Sequence, residues 1–148
     1  HRQDGRMREM SQAEWTAFLR HGTRTGKLAL VLPSGRPTVT PVWFVLDDDG
    51  VLRFETDTGS AKARSLRADP RACILVDLEE PPYAFVRLDV VTSMVDDLAA
   101  VRALATRIGR RYMGEDRAEE YGARNGVPGE IIVECVITRV VAQHDVSG

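Results

Sequence analysis

Apolar positions along the chain follow two spacings. Six stretches are short, β-branched or aromatic runs: Lys27 to Leu32, Val39 to Leu46, Val51 to Thr56, Ala72 to Leu78, Tyr83 to Val95 and Ile131 to Val141. They read as strands. Two other stretches keep helical spacing. Trp15, Phe18 and Leu19 make one face, and Leu98, Val101, Leu104, Ala105, Ile108 and Tyr112 make another. Ser11 and Glu14 stand as N-cap and N3 of a capping box ahead of the first helix, which stops near Gly22. A third helix starts at Ser60 and ends before Asp69-Pro70, since a residue before proline avoids helix. The polar region Met113 to Gly129 holds a short helix around Glu119.

Turn chemistry joins the strands. Pro33-Ser34-Gly35-Arg36 is a turn, and Asp49-Gly50 predicts a primed hairpin turn between the second and third strands. Pro41 interrupts the second strand, as at an edge, at a bulge, or where a ligand meets the backbone. The fourth strand is apolar enough to be buried on both faces. Hairpin connections make the sheet mainly antiparallel, and closure into a small barrel removes its edges. The fold class expected is mainly β (α+β), a six-stranded split antiparallel β-barrel with peripheral helices. The helix at Asp96 to Tyr112 is too large for the interior and belongs outside or against a second subunit. One domain is expected over residues 10–148. Residues 1–9 form a tail, disordered or added, with Met7 and Met10 as candidate natural starts.

Composition narrows the classes. A chain of 148 residues is long enough for one real core. A net charge of 20 − 22 = −2 supplies no basic face for nucleic acid. No apolar run is long enough to span a bilayer, and no signal-peptide pattern opens the sequence, so a cytoplasmic protein is expected. Cys73 and Cys135 lie in apolar runs and read as reduced core thiols. His1, His21 and His144 have no metal-ligand spacing, and Asp47-Asp48-Asp49-Gly50 reads as a turn rather than a calcium loop. No metal is expected.

The candidate chemistry lies between Thr38 and Lys62. Thr58, Gly59 and Ser60 precede a helix with Lys62 in its first turn. Hydroxyls and free N–H groups at a helix start, with a lysine beside them, suit a phosphate; the hydroxyls equally suit a simple cap. There is no Gly-x-x-x-x-Gly-Lys-Ser/Thr and no Gly-x-Gly-x-x-Gly to support a P-loop or Rossmann site.

Several pieces resemble the flavin and deazaflavin oxidoreductases of the pyridoxamine 5′-phosphate oxidase-like superfamily, most closely the branch that uses coenzyme F-420, an 8-hydroxy-5-deazaflavin. They are Gly22 to Ala29, Thr40 to Asp47, Gly59 to Arg64, Leu66 to Arg71, Pro81 to Tyr83, Arg111 to Gly114, and Pro128-Gly129. The resemblance implies a homodimer with the cofactor in a groove between subunits. It implies that Thr56, Thr58, Ser60, Ala61 and Lys62 hold the phosphate end and that Pro41, Val42 and Trp43 back the ring. Arg24 and Lys27 are placed near an acidic tail, or are solvated charges beside a strand. Tyr83 lines a substrate pocket or the dimer interface. The implied activity is hydride transfer from reduced cofactor to an electron-poor C=C or C=O bond, with no catalytic side chain assigned. FMN is the alternative cofactor, and a non-catalytic cofactor-storage protein the alternative role. Leu30 replaces a frequent Thr of relatives, and Asp89-Val90 replaces a Glu-Gly pair whose loss is expected to remove a bulge in the fifth strand.

Overall fold

The computed structural model describes residues 8–145. Eight antiparallel strands form one curled sheet, a split half-barrel with four helices around it. They are β1 (Arg8–Glu9), β2 (Gly26–Val31), β3 (Pro37–Val42), β4 (Val45–Leu46), β5 (Val51–Asp57), β6 (Arg71–Leu78), β7 (Ala84–Val95) and β8 (Glu130–His144). The helices are α1 (Gln12–Arg20), α2 (Ala61–Ala68), α3 (Leu98–Met113) and α4 (Ala118–Asn125), with a single 3-10 turn at Glu115–Arg117. The strand order is β3-β2-β6-β7-β8-β5-β4, and β1 joins on β8.

Two features turn the expected six strands into eight. Arg8 and Glu9 pair with His144 and Gln143, so the folded chain reaches back into the expected tail. The second run breaks at Trp43-Phe44: its first half pairs with β2 and its second with β5. The two halves therefore sit at opposite ends of the strand order, and Trp43-Phe44 is the link across the split. Among non-glycine residues near the following turn none has positive φ; Gly50 alone does, at 82°. With the Gly50 N–H donating to the Asp47 carbonyl at 2.9 Å, this is a three-residue loop closed by a glycine bulge, not the primed turn expected.

The interior follows from the alternation of the strands. Phe44, Leu52, Phe54, Ile74, Val76, Val86, Leu88, Val133 and Cys135 are buried together, and α1 adds Leu19. Period-two alternation is clearest in β7, where Val86, Leu88 and Val90 point in and Arg87 points out. In β6, Ile74 and Val76 are buried but Leu75 is exposed, so this strand is covered on one face only, contrary to expectation. Cys73 lies half-buried on that outer face, and Cys135 is in the core; both are free thiols. Burial pushes the Cys135 thiol up to about 12. The register slips between Asp89 and Val90, with Asp89 opposite Arg139 and Val90 opposite Ile137. The irregularity thus persists without the glycine, because Thr138 of β8 is the extra residue and its hydroxyl donates to the Asp89 carbonyl at 3.2 Å.

Helix α3 packs outside the barrel. Val101, Leu104 and Ile108 bury one stripe against Val45 and Ile132 on the outer face of β4 and β8. Each such side chain contributes about 1.5–3 kcal/mol on full burial. Asp97 caps the helix by accepting from the Ala100 N–H. Helix α4 crosses α3 closely through three glycines. A Cβ at Gly126 would meet the Arg102 Cα at 2.6 Å, and one at Gly122 would run into the Thr106 hydroxyl.

Candidate functional site

A cleft of about 390 Å³ opens where the sheet is split. Its walls come from six elements and the link after β3. Pro41 and Val42 end β3, Trp43 begins the link, Glu55 and Thr56 lie on β5, and Lys62 lies in the first turn of α2. Ala105 and Ile108 of α3, Asn125 of α4 and Glu130 of β8 complete it. Five of the residues singled out in the sequence therefore converge: Pro41, Val42, Trp43, Thr56 and Lys62. Lys62 makes no hydrogen bond or ion pair among the described residues, so its ammonium is available to an anion.

The remaining candidates have other surroundings. Ser60 is the N-cap of α2, accepting from the Ala63 N–H at 3.1 Å, and its hydroxyl lies 2.9 Å from that of Thr56. Ala61 opens the helix. The Thr58 carbonyl accepts from Arg67 at 2.8 Å, and its hydroxyl is bound by the same guanidinium. Lys27 is ion-paired to Asp77 at 2.9 Å on the opposite side of β2 from the interior. Arg24 donates to the Phe18 carbonyl at 2.9 Å and stacks over the Phe18 ring at 4.2 Å. Neither cation lines the cleft. Tyr83, at φ 57°, lines a separate, shallower hollow of about 580 Å³ with Leu75, Asp77, Leu78, Glu79, Ala84 and Phe85.

The aromatic wall is held by a knot around Arg111 and Tyr112. Trp43 stacks flat on Tyr112, with centroids 4.9 Å apart and planes within 2°. The Tyr112 hydroxyl donates to the Arg24 carbonyl at 2.8 Å and accepts from the Phe44 N–H at 3.2 Å. Arg111 donates to the carbonyls of Leu19, Phe44 and Gly22 at 2.7, 2.7 and 2.9 Å. A planar guanidinium reaches three carbonyls in fixed directions, which an ammonium does not. Burial pulls Arg111 below the ordinary guanidinium value and pushes the Tyr112 phenol up. Helix-end basicity explains only the presence of arginine near the end of α3. The three carbonyls explain its function, which is to fix the link that carries Trp43.

Sequence reasoning missed two acidic residues of the cleft, Glu55 and Glu130. Both oxygens of Glu55 are shielded from water and have no hydrogen-bond partner among the described residues. Burial, and then the nearby Glu130 charge, push the Glu55 carboxyl up to about 8. Glu130 is raised as well, by burial and then by Asp57. At neutral pH Glu55 is thus largely a neutral acid. Its position was readable as the outward one of the Phe54-Glu55-Thr56 alternation. Only the placement of α3 over that face showed that outward does not mean solvent.

The split of the barrel thus brings together a lysine that is unpaired among the described residues, an aromatic wall and the shielded Glu55 carboxyl. The chain belongs to the pyridoxamine 5′-phosphate oxidase family, whose model matches residues 11–142. The conserved hypothetical protein Rv2991 from Mycobacterium tuberculosis is similar over 99% of this chain and 92% of its own, at 26% identity and a TM-score of 0.81. An F-420 reductase is similar over 84% of this chain and 94% of its own, at 26% identity and a TM-score of 0.66. HutZ, a heme storage protein from Vibrio cholerae, shares the fold at 20% identity and a TM-score of 0.67, over 90% of this chain and 96% of its own. No curated protein matches the sequence. Among the described residues no helix is long and apolar enough to cross a membrane, and no cluster of three or more His, Cys, Asp or Glu residues could hold a metal.

Proposed function

We propose that this protein is an oxidoreductase using a deazaflavin of the coenzyme F-420 type. The observation that carries the reading is the convergence of Lys62, the Pro41–Trp43 edge and the shielded Glu55 on one cleft. The residues fit the group: the unpaired ammonium suits a phosphate, and the flat Trp43 wall suits a fused ring. The F-420 reductase among the similar structures supports the deazaflavin over other ligands of the fold. When bound, such a cofactor supplies a hydride for an electron-poor C=C or C=O bond. The chain's own residues bind and orient it. Lys62 and the start of α2 anchor the anion, Pro41 and Val42 present a β3 edge to the ring, and α3 keeps water from the inner wall.

The second reading is an FMN enzyme on the same cleft, because the Lys62 ammonium takes either phosphate. Heme storage is less well supported, since among the described residues no His, Cys or Met lines the cleft to ligate an iron. The reading includes a homodimer. Pro41 lies on the cleft and also, opposite Lys27, on the uncovered outer face of β2 and β3, so a second copy seated on that face would complete the groove.

Fluorescence titration of the cofactor-free protein with the deazaflavin and with FMN tests this. Tighter deazaflavin binding is expected. Lys62→Ala should weaken binding of either by about 1.5–3 kcal/mol, the worth of a hydrogen bond to a charged group. Preference for FMN would move the protein to the flavin reading, and binding of neither would overturn both.

A further inference from the structure

Glu55 is the least satisfied polar group of the cleft. It sits on β5 between Phe54 and Thr56, opposite Ile132 of β8, on the face that α3 covers. The other groups that line the cleft are few. From β8 comes Glu130; from α2 comes Lys62; α3 presents only Ala105 and Ile108, and the end of α4 only Asn125. On its own strand, Arg53 is occupied by Asp47, Asp49 and Glu134, and Asp57 lies opposite Glu130. No described residue satisfies either Glu55 oxygen. Leaving a shielded donor or acceptor unmatched is unfavourable, and native structures rarely do so without a use for the group.

We propose that the Glu55 carboxyl, shielded in the ligand-free chain, turns into the cleft that its residue lines and pairs with a cyclic-imide edge of the ligand, its O–H donating to a ring carbonyl and its C=O accepting from the neighbouring ring N–H. The inference rests on the flavin or deazaflavin reading, since both ring systems carry this edge. A neutral carboxyl has one donor and one acceptor side by side, as an imide does, and the two patterns are complementary. A carboxylate lacks the donor and repels the carbonyl. Lys62 at one end of the cleft then selects the anion, and Glu55 on the inner wall selects the ring. The pairing makes Glu55 a specificity-determining residue whose competence depends on its proton.

The sign of the pH dependence follows. Glu55 is neutral below about 8 in the free protein, and pairing favours that form further. Affinity should therefore hold up to about pH 8 and then fall by about tenfold per pH unit, one proton being taken up on binding. Glu55→Gln keeps a donor and an acceptor in the same place but does not titrate.

The experiment measures dissociation constants for FMN and for FMN methylated at the imide nitrogen, from pH 6 to 9.5. It compares the wild-type protein, Glu55→Gln and Glu55→Leu. The methylated probe should bind the wild-type protein about tenfold more weakly than FMN, an effect that disappears in Glu55→Leu. Glu55→Gln should bind FMN at pH 6.5 like the wild-type protein and keep that affinity at pH 9. A methyl penalty that survives in Glu55→Leu, or a pH step that survives in Glu55→Gln, overturns the pairing while leaving the cofactor reading intact. Absence of binding by FMN and deazaflavin alike overturns the cofactor reading and the pairing with it. A ligand-free readout checks that the acid titrates as stated. Between pH 4.5 and 8 the native protein keeps a proton that the unfolded chain has released, so stability falls across that window. In Glu55→Gln that fall should be absent.

Discussion

The two halves of the sheet's outer surface are built from the same alternating strands and end up differently. Over β4, β5 and β8 the outer face is covered by α3. Ile132 and Val45 are buried there, and the charges at its margin find partners within the chain: Arg53 bridges Asp47, Asp49 and Glu134 at 2.6–2.9 Å. Over β3, β2, β6 and β7 no helix of the described residues lies on the outer face. Val39 is 64% exposed, Val31 50%, Val91 41% and Leu75 36%, and the register places Val39, Ala29, Cys73 and Asp89 in one row across the four strands. Val136 continues the apolar surface opposite Val91. This apolar face is the surface that the proposed second copy would cover. The contrast shows that strand alternation decides which side chains leave the core, and separate elements decide whether those side chains meet water. One half is closed in cis by α3; under the proposed assembly the other is closed in trans by a second copy.

The strongest way to break this contrast is to charge the uncovered half. Leu75→Asp with Val91→Asp should turn a dimer of the 16.4-kDa chain into a monomer in analytical ultracentrifugation, an effect of about 3 kcal/mol or more because each carboxylate would be buried unpaired. Both positions face outward, so thermal stability of the monomer should change little. A wild-type protein that sediments as a monomer at all concentrations would show that this face needs no copy of itself.

A smaller effect is expected on the covered half. Gly126→Ala places a methyl group 2.6 Å from the Arg102 backbone, which has no flexible end to move. Helix α4 must shift off α3, and denaturant unfolding should show a loss of about 1–3 kcal/mol. The same variant should bind ligand more weakly, since Asn125 lines the cleft one residue away.

The smallest effect belongs to the charges that tie α3 to the β4–β5 hairpin. Burial alone would raise the Asp47 carboxyl, but hydrogen bonds from Arg107 and Arg53 outweigh it and hold it below its ordinary value. Its contribution to stability is therefore present above the ordinary value of 3.8 and lost as pH falls through the lowered one. Arg107 is nearly half exposed, so Arg107→Ala should cost about 0.2–1 kcal/mol at neutral pH, measured by urea unfolding, and the difference should shrink in acid.

Much of this architecture was legible in local chemistry. The Ser11–Glu14 capping box is present on both sides, with the Ser11 N–H donating to Glu14 at 2.8 Å. Of the apolar stripe predicted for α3, Val101, Leu104, Ala105 and Ile108 are buried, and Leu98 at its start is exposed. Such features depend on neighbours within a few residues, and those neighbours are visible in a sequence. The break at Trp43-Phe44 was not legible, because Val39 to Leu46 is equally good strand on either side of it. Two different partners, β2 and β5, pull the halves apart, and the choice between partners on either side in the sequence leaves no local mark.

The site divides in the same way. Local chemistry singled out the helix start at Lys62, and the family resemblance added Pro41, Val42, Trp43 and Thr56; all five lie within one strand–turn–strand–helix segment of the sequence. The tertiary structure alone decided the rest. It turned Lys27 to Asp77 and Arg24 to the Phe18 carbonyl, and it brought Ile108, Asn125 and Glu130 from the far end of the chain to the cleft. It also gave Glu55 its character. Any strand offers a glutamate to its polar face; only a helix laid over that face removes the water, and without water the carboxyl keeps its proton.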